Sequence, residues 1–422
     1  LGVEIEHLPV HDADDTAVSY YEPNGIEAFL KRLAPYYDES KEYWENGHLV
    51  GLAREGVAVS LEPGGQVEAS IGVLHEPGDL NGLYADFRCE ADPILEELGF
   101  RFVNYGYQPK SSFVDVPVNP KGRYDAMTDF LGRVGQFGPC MMRCSASTQV
   151  SIDYVDENKM RVGTAIGPIL AWFFRNTPYF EGRLNPYPLL RQRMWDYLDF
   201  QRTNVTPGLF DQRFGWEDYA RDVLSTPLMF ADLTHTPEAV ESGLSRKELH
   251  RAAFRENAGE VYPDRELNAY EINHIISTHF NDVRLKNFIE FRHWDSLPIE
   301  RVERLTEIIA SLGLETGGSR ACFESAGKIA VLYCIHKKLP QRRGRYTALL
   351  RNGGLRGDSP EERKRRKSAN ADFRLSVSHS DTQHSLASGS LDFLGDAGGN
   401  LLVVIRLHGE GSTALGLGTQ VR

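Results

Sequence analysis

Carboxylate and amide side chains fall on every second residue in several short stretches of this chain, a spacing that gathers oxygen ligands on one surface. In GVEIEH, residues 2–7, Glu4 and Glu6 share one face of a strand while Val3 and Ile5 share the other, because successive strand side chains point to opposite faces. The pattern returns in QVEAS with Gln66, Glu68 and Ser70, in TQVSIDY with Gln149, Ser151 and Asp153, and in FIEFRHW with Glu290 and Arg292. One such strand is what any half-solvated antiparallel strand shows. Four of them, carrying acids, amides and a single interleaved arginine where solvated faces mix in Lys and Thr, predict one acidic surface. Carboxylates brought that close either raise one another's pKa or hold a cation between them. An all-oxygen ligand set with little Cys or His favours a hard divalent ion, Mg²⁺ before Zn²⁺.

Cations accompany these segments. Lys121 and Arg123 lie in NPKGRY, Arg202 in DFQRT, Arg284 and Lys286 in DVRLK, and Arg292 in FIEFRHW. Metal-bound phosphate beside Arg and Lys is the setting of phosphoryl transfer, where catalysis is positioning plus charge stabilisation. Taken singly, each of these cations reads as a surface charge. Arg292 is the exception, because it shares a strand face with Glu290. No Walker loop or Rossmann fingerprint is present, which excludes nucleotide binding by those routes. His274 and His279 are five apart, on different faces of a helix, and do not form a zincin pair.

The elements that must position these residues alternate along the chain. Helical spacing covers 25–44, 91–100, 121–135, 160–174, 271–280, 296–313 and 324–338; strands are expected at 2–7, 141–154 and 287–294, and residues 61–70 read as a tight Gly-Gly turn feeding a further strand. Polar strand faces predict an antiparallel sheet with one open side. Because the acidic strands run from residue 2 to residue 294, a single large catalytic domain over residues 1–340 is expected. Residues 341–422 hold 13 Lys and Arg against 8 Asp and Glu, a net of +5, leaving 34 against 51, a net of −17, for residues 1–340. An acidic body argues against nucleic acid as main partner and suits metal-bound, phosphorylated small molecules. The basic, then Ser/Gly-rich stretch reads as a solvated disordered tail or an out-of-register translation, with one strand at 400–407. No apolar run would cross a bilayer and no leader precedes the first strand, so cytoplasm is the expected location. The chain starts at Leu1, as expected of one missing a native N-terminal segment. Cys89, Cys140, Cys144, Cys322 and Cys334 show no zinc spacing and read as ordinary thiols, with Cys140 and Cys144 close enough for a redox test.

The segments GVEIE, LEPGGQVEAS, GYQPKSSFVDVPVNPKGRYDAM, MMRCSASTQVSIDY, WDYLDFQRT and DVRLKNFIEFRHWD resemble, in order and spacing, the plant-type glutamate-cysteine ligases and their bacterial relatives, over about residues 2–335. That resemblance implies an α+β, glutamine synthetase-like fold, an antiparallel sheet curled into a funnel and flanked by helices. It also implies ATP-dependent joining of L-glutamate to the amine of L-cysteine. By matching position, Glu4, Glu6, Glu68 and Glu290 would be metal ligands, with Glu62 and Gln149 as further candidates. Glu68 and Arg292 would be catalytic, Arg292 stabilising the transferring phosphate. Arg202, Lys121, Arg123, Arg284 and Lys286 would contact ATP or a substrate anion. WDYLDFQRTN departs from the family's usual W-T-D-T-D run and has Asn204 where glycine is usual, and Ser151 stands where asparagine is common. Both changes bear on the amino-acid pocket. Alternatives are a ligase using another amine, a metal-dependent phosphohydrolase in which water replaces the amine, and a non-catalytic relative.

Overall fold

The computed structural model describes residues 1–154, 156–234, 249–263, 265–314, 374–378, 388–395 and 401–408. The chain divides into two compact units, Leu1–Thr316 and Gly317–Arg422.

The first unit is built on nine strands: β1 (Gly2–His11), β2 (Tyr43–Glu45), β3 (His48–Arg54), β4 (Val57–Leu61), β5 (Val67–Gly72), β6 (Phe100–Val103), β7 (Ser147–Asp153), β8 (Val283–Leu285) and β9 (Phe288–Asp295). Their order is β8-β9-β7-β1-β5-β4-β3-β2, with β6 on the outer half of β1. Every pairing is antiparallel. The expected antiparallel sheet flanked by helices is therefore present, and the class is α+β.

Register decides which side chains meet. Glu6 lies opposite Glu68, Glu4 opposite both Ser70 and Gln149, and Glu290 opposite both Ser151 and Arg284. Directly opposed residues point to the same face, so these polar groups share it. The reverse face carries Val3, Ile5, Val67, Ala69, Ile71, Val150 and Ile289, all buried. Against it pack the helices Asp79–Leu98, Glu157–Phe173 and Ile299–Leu314. Fully burying one such aliphatic side chain contributes about 1.5–3 kcal/mol.

The long helix Glu157–Phe173 approaches β9 through a glycine stripe. A Cβ at Gly163 would sit 2.0 Å from the Phe291 ring, and one at Gly167 2.2 Å from the His293 ring. Residues four apart share a helix face, so the two glycines form one groove. β9 itself bulges between Phe291 and Trp294, which turns both of those rings to the core side despite their odd spacing.

Several element boundaries differ from the sequence expectation. The helix expected over 25–44 ends at Leu33, because Pro35 cannot donate to an earlier carbonyl; short 3₁₀ turns and β2 follow. The helix expected from residue 91 begins at Asp79, carries Pro93 within it and stops at Gly99, whose φ of 81° is left-handed. Residues Gly138–Cys144 are helical, and the strand expected from 141 starts at Ser147. The helix expected at 324–338, Cys322 and Cys334 lie outside the described residues. In the second unit, β10 (Arg374–Ser378), β11 (Ser388–Gly395) and β12 (Leu401–His408) form an antiparallel sheet in that order.

Two glycine substitutions should act in opposite directions. Gly163→Ala is expected to destabilise by about 1–3 kcal/mol through overpacking on Phe291. Gly82→Ala, in an exposed helical position where a Cβ meets nothing within 4 Å, is expected to stabilise by about 0.5–1 kcal/mol. Urea denaturation of the two variants measures both.

Candidate active site

The polar face of the sheet is not an open surface. A cavity of about 260 Å³ lies against it, roofed by residues of the helices Gly122–Leu131, Gly138–Cys144 and Leu190–Asp196 and by Ser277 and Phe280. Glu4, Glu6, Glu62, Glu68, Gln149, Arg123, Arg284, Lys286 and Arg292 of the sequence-derived set line it.

Glu62 is placed by the turn between β4 and β5, where each residue of EPGGQ has a distinct task. The Glu62 and Gln66 backbones close the turn at 2.9 Å, and Gly65 takes a left-handed φ of 85°. A Cβ at Gly64 would lie 2.0 Å from the carbonyl oxygen of Arg143, so only glycine allows that approach. The Gln66 amide then ties the turn to the roof, donating to the carbonyls of Ser145 (2.7 Å) and Met142 (3.2 Å).

The carboxylates differ in how they are held. Glu6 accepts from the Ser147 N–H (2.7 Å) and hydroxyl (2.6 Å) and from the Gln149 amide (3.3 Å). Glu68 accepts from the hydroxyls of Ser70 (3.0 Å) and Ser60 (3.3 Å). Burial, followed by the charges of Glu68 and Glu290, pushes Glu4 up to about 8. Burial and Glu6 push Glu62 to about 7; burial with Glu62 and Glu6 does the same to Glu68. Burial also raises Glu6.

Glu290 is the opposite case. Burial opposes its ionisation, but Arg284, Arg292 and Lys286 together hold it well below the carboxylate range. Its Oε1 accepts from Lys286 Nζ (2.9 Å) and Arg284 (3.1 Å), its Oε2 from Arg284 Nε (2.6 Å) and Arg292 (3.0 Å). Arg292 also donates to the Gln149 amide oxygen at 2.5 Å. Glu290 is fully buried beneath these cations and does not itself line the cavity.

Lys121 and Arg202 stand elsewhere. Lys121 donates to the Leu61 carbonyl at 2.7 Å, behind the Glu62 turn, and is not among the lining residues. Arg202 is buried with Asp199 at 2.6 Å and the Pro227 carbonyl at 2.7 Å, its guanidinium over the Phe130 ring. Arg202 is not among the residues that line the cavity, and its Nη1 is buried without a hydrogen-bond partner. Sequence reading missed Arg191, Trp195, Met127, Met141 and Met142, which line the roof. The available signal was the pairing of Arg191 with Trp195 and Arg123 with Met127, four apart and hence on one helix face.

Among the described residues no three His, Cys, Asp or Glu side chains stand together as a ready metal site. The donors nevertheless suit Mg²⁺, which is commonly held by one or two carboxylates and completes its shell with water and ligand phosphate. Burial, and after it the charge of neighbouring carboxylates, raises Glu4, Glu62 and Glu68, and a cation among them would offset both. His274 and His279 bond backbone carbonyls at 3.0 Å each, and burial lowers both. Cys140 and Cys144 are free, buried thiols whose pKa burial raises.

The sequence matches the family described as glutamate-cysteine ligase family 2 over residues 1–313. It is 34% identical over 287 residues to glutamate–cysteine ligase B, chloroplastic, of Oryza sativa subsp. japonica, covering 66% of this chain and 55% of that protein. It is 33% identical to the chloroplastic glutamate–cysteine ligases of Nicotiana tabacum and Arabidopsis thaliana, covering 66% of this chain and 52% of each. The chain spans about half the length of these curated relatives. Their names overturn the cytoplasmic expectation, since each relative is a chloroplast protein. No described helix is long and apolar enough to cross a membrane. The match over residues 1–313 spans the segments that build the cavity, and the chain belongs to glutamate-cysteine ligase family 2.

Proposed function

We propose that the chain joins the γ-carboxylate of L-glutamate to the amine of L-cysteine at the expense of ATP, giving γ-glutamylcysteine, the first step of glutathione biosynthesis. The observation that carries this reading is the juxtaposition, in one cavity, of mutually repelling carboxylates with the Arg284, Lys286 and Arg292 cations. Family membership supports it. All of the chemistry is assigned to residues 1–340.

A carboxylate is a poor acyl donor, so its oxygen first takes the γ-phosphoryl group of ATP: an O–P bond forms as the bond to ADP breaks. The amine nitrogen then attacks the acyl carbon. The C–N bond forms, the carbon–oxygen bond to phosphate breaks, phosphate leaves, and the amine's surplus proton passes to solvent. Arg292 is assigned to the transferring phosphoryl group, where its fixed charge stabilises what develops in the transition state. Arg284 and Lys286 hold the nucleotide's phosphates. Glu4, Glu6, Glu62, Glu68 and Gln149 would hold Mg²⁺, and Glu290 remains a candidate ligand that could exchange one of its cation partners. Bound Mg²⁺ supplies neutralisation of the triphosphate.

The deciding assay is ADP release with glutamate, Mg²⁺ and a panel of amines. Cysteine-stimulated release with a γ-glutamyl product supports the reading, whereas ADP without amide product favours a phosphohydrolase. Glu68→Gln and Arg292→Ala are each expected to lower kcat by about 10²–10³-fold with unchanged circular dichroism; unchanged turnover in either removes that residue from the site.

Acidity gives an independent check. Groups raised in the folded state, here Glu4 to about 8 and Glu62 and Glu68 to about 7, bind extra protons on folding, so their stabilisation is present at low pH and lost as pH rises through those values. His7, lowered by burial to about 3, acts oppositely and only below the ordinary histidine range. The metal-free protein should therefore lose melting temperature progressively from about pH 4.5, the ordinary glutamate value, to about 8, and millimolar Mg²⁺ should reduce that loss. Deleting residues 345–422 is expected to leave turnover largely intact in the same ADP assay; complete loss would refute the domain assignment.

A further inference from the structure

The cavity has two chemically different sides. Its floor, on the sheet, is charged. Its roof carries Met127, Met141 and Met142, three of the chain's six methionines, each less than a tenth exposed. Arg123 stands beside them, on the same helix face as Met127.

Arg123 differs from the floor cations in what it is bonded to. Arg284, Lys286 and Arg292 are all committed to Glu290. Arg123 donates to the Ser277 hydroxyl at 3.0 Å, its Nε is buried with no hydrogen-bond partner, and among the described residues no carboxylate pairs with it. A guanidinium that lines a cavity and has no carboxylate partner among the described residues is a receptor for a small carboxylate. The neighbouring methionines make a soft, polarisable, adaptable wall without hydrogen-bonding groups, suited to a short uncharged side chain. A charged side chain placed there would be stranded without a partner.

We propose that Arg123, Met127, Met141 and Met142 form the subsite of the amine acceptor, an α-amino acid whose carboxylate Arg123 takes and whose short uncharged side chain rests on the methionines. This rests on the ligase reading above. It assigns Arg123 to the acceptor instead of to ATP or glutamate. On this assignment the acceptor sits against the roof residues and the phosphoryl group against the cations of the floor, so the two reactants approach from opposite sides of the cavity. Recognition through the carboxylate selects amino acids over simple amines. The methionine wall discriminates among short side chains only weakly, because a methylene in an apolar pocket is worth about 1–3 kcal/mol.

The test compares L-cysteine with cysteamine, the same aminothiol without its carboxylate, in the full chain and in Arg123→Gln. The unsubstituted enzyme should prefer cysteine in kcat/KM by at least about tenfold, the worth of one charge-assisted contact. Arg123→Gln should bring the two substrates to parity by raising the KM for cysteine, with the KM values for glutamate and ATP unchanged. A preserved preference for cysteine, or a raised KM for glutamate in its place, would overturn the assignment. If no amine yields a γ-glutamyl product, the ligase reading fails. Calorimetric titration with cysteine and cysteamine then decides the subsite separately: cysteine binding that Arg123→Gln weakens supports it, and cysteine binding that is absent or indifferent to the substitution refutes it. A thermal melt matching the unsubstituted protein establishes that the variant is folded.

Discussion

Burying several carboxylates of one sign on a single sheet face is the constraint from which the rest of this structure follows. β1 supplies Glu4 and Glu6 and sits between β5 and β7, so its register fixes Glu68 and Gln149 against it. What fixes the register is the other face. A slip by one residue would carry Glu4 and Glu6 into the layer now filled by Val3 and Ile5 and push those side chains into the cavity. The apolar core is thus the ruler that sets carboxylate spacing. The glycine stripe at Gly163 and Gly167 belongs to the same device, because it seats a helix closely enough on β9 to hold the strand that carries Glu290 and Arg292.

The floor of the site was legible in the sequence because strand periodicity is short and rigid. Alternation alone placed Glu4 with Glu6 and Glu290 with Arg292, and the EPGGQ turn announced itself by its paired glycines. The roof was not legible. Met127, Met141, Met142 and Trp195 have the spacing and chemistry of core residues, and only their position above a charged floor gives them another role. Element ends were misjudged where a local signal had two meanings. The acidic residues near position 91 look like a helix start but lie in the middle of Asp79–Leu98. Pro35, which ends the first helix, sits inside an otherwise continuous apolar period.

Arg202 and Arg191 show why composition cannot separate structural from functional arginines. Both are almost fully buried, and burial lowers both below the ordinary guanidinium range. Arg202 is neutralised three residues away by Asp199 and roofed by Phe130. Arg191 makes long hydrogen bonds, 3.4 Å, to the Arg292 carbonyl, lies over the Trp195 ring and faces the cavity, where Glu6 lies near enough to favour its charge. What separates the two is place: Arg191 lines the cavity and Arg202 does not.

The same accounting orders the floor. At the β8–β9 end three cations surround one carboxylate, Glu290, which leaves a local excess of positive charge. Towards β1 and β5 the balance reverses: burial first, and then neighbouring carboxylates, raise Glu4, Glu62 and Glu68. An anion entering this cavity is drawn to the β8–β9 end and repelled from the centre unless a cation accompanies it. A polyphosphate carrying its own divalent ion satisfies both ends at once, phosphate against the arginines and metal against the glutamates. Neither partner alone does so: free phosphate meets the central carboxylates, and a free metal meets the arginines. The charge order across the sheet is set by strand register, and it is the feature that the proposed use of a metal–nucleotide complex would draw on.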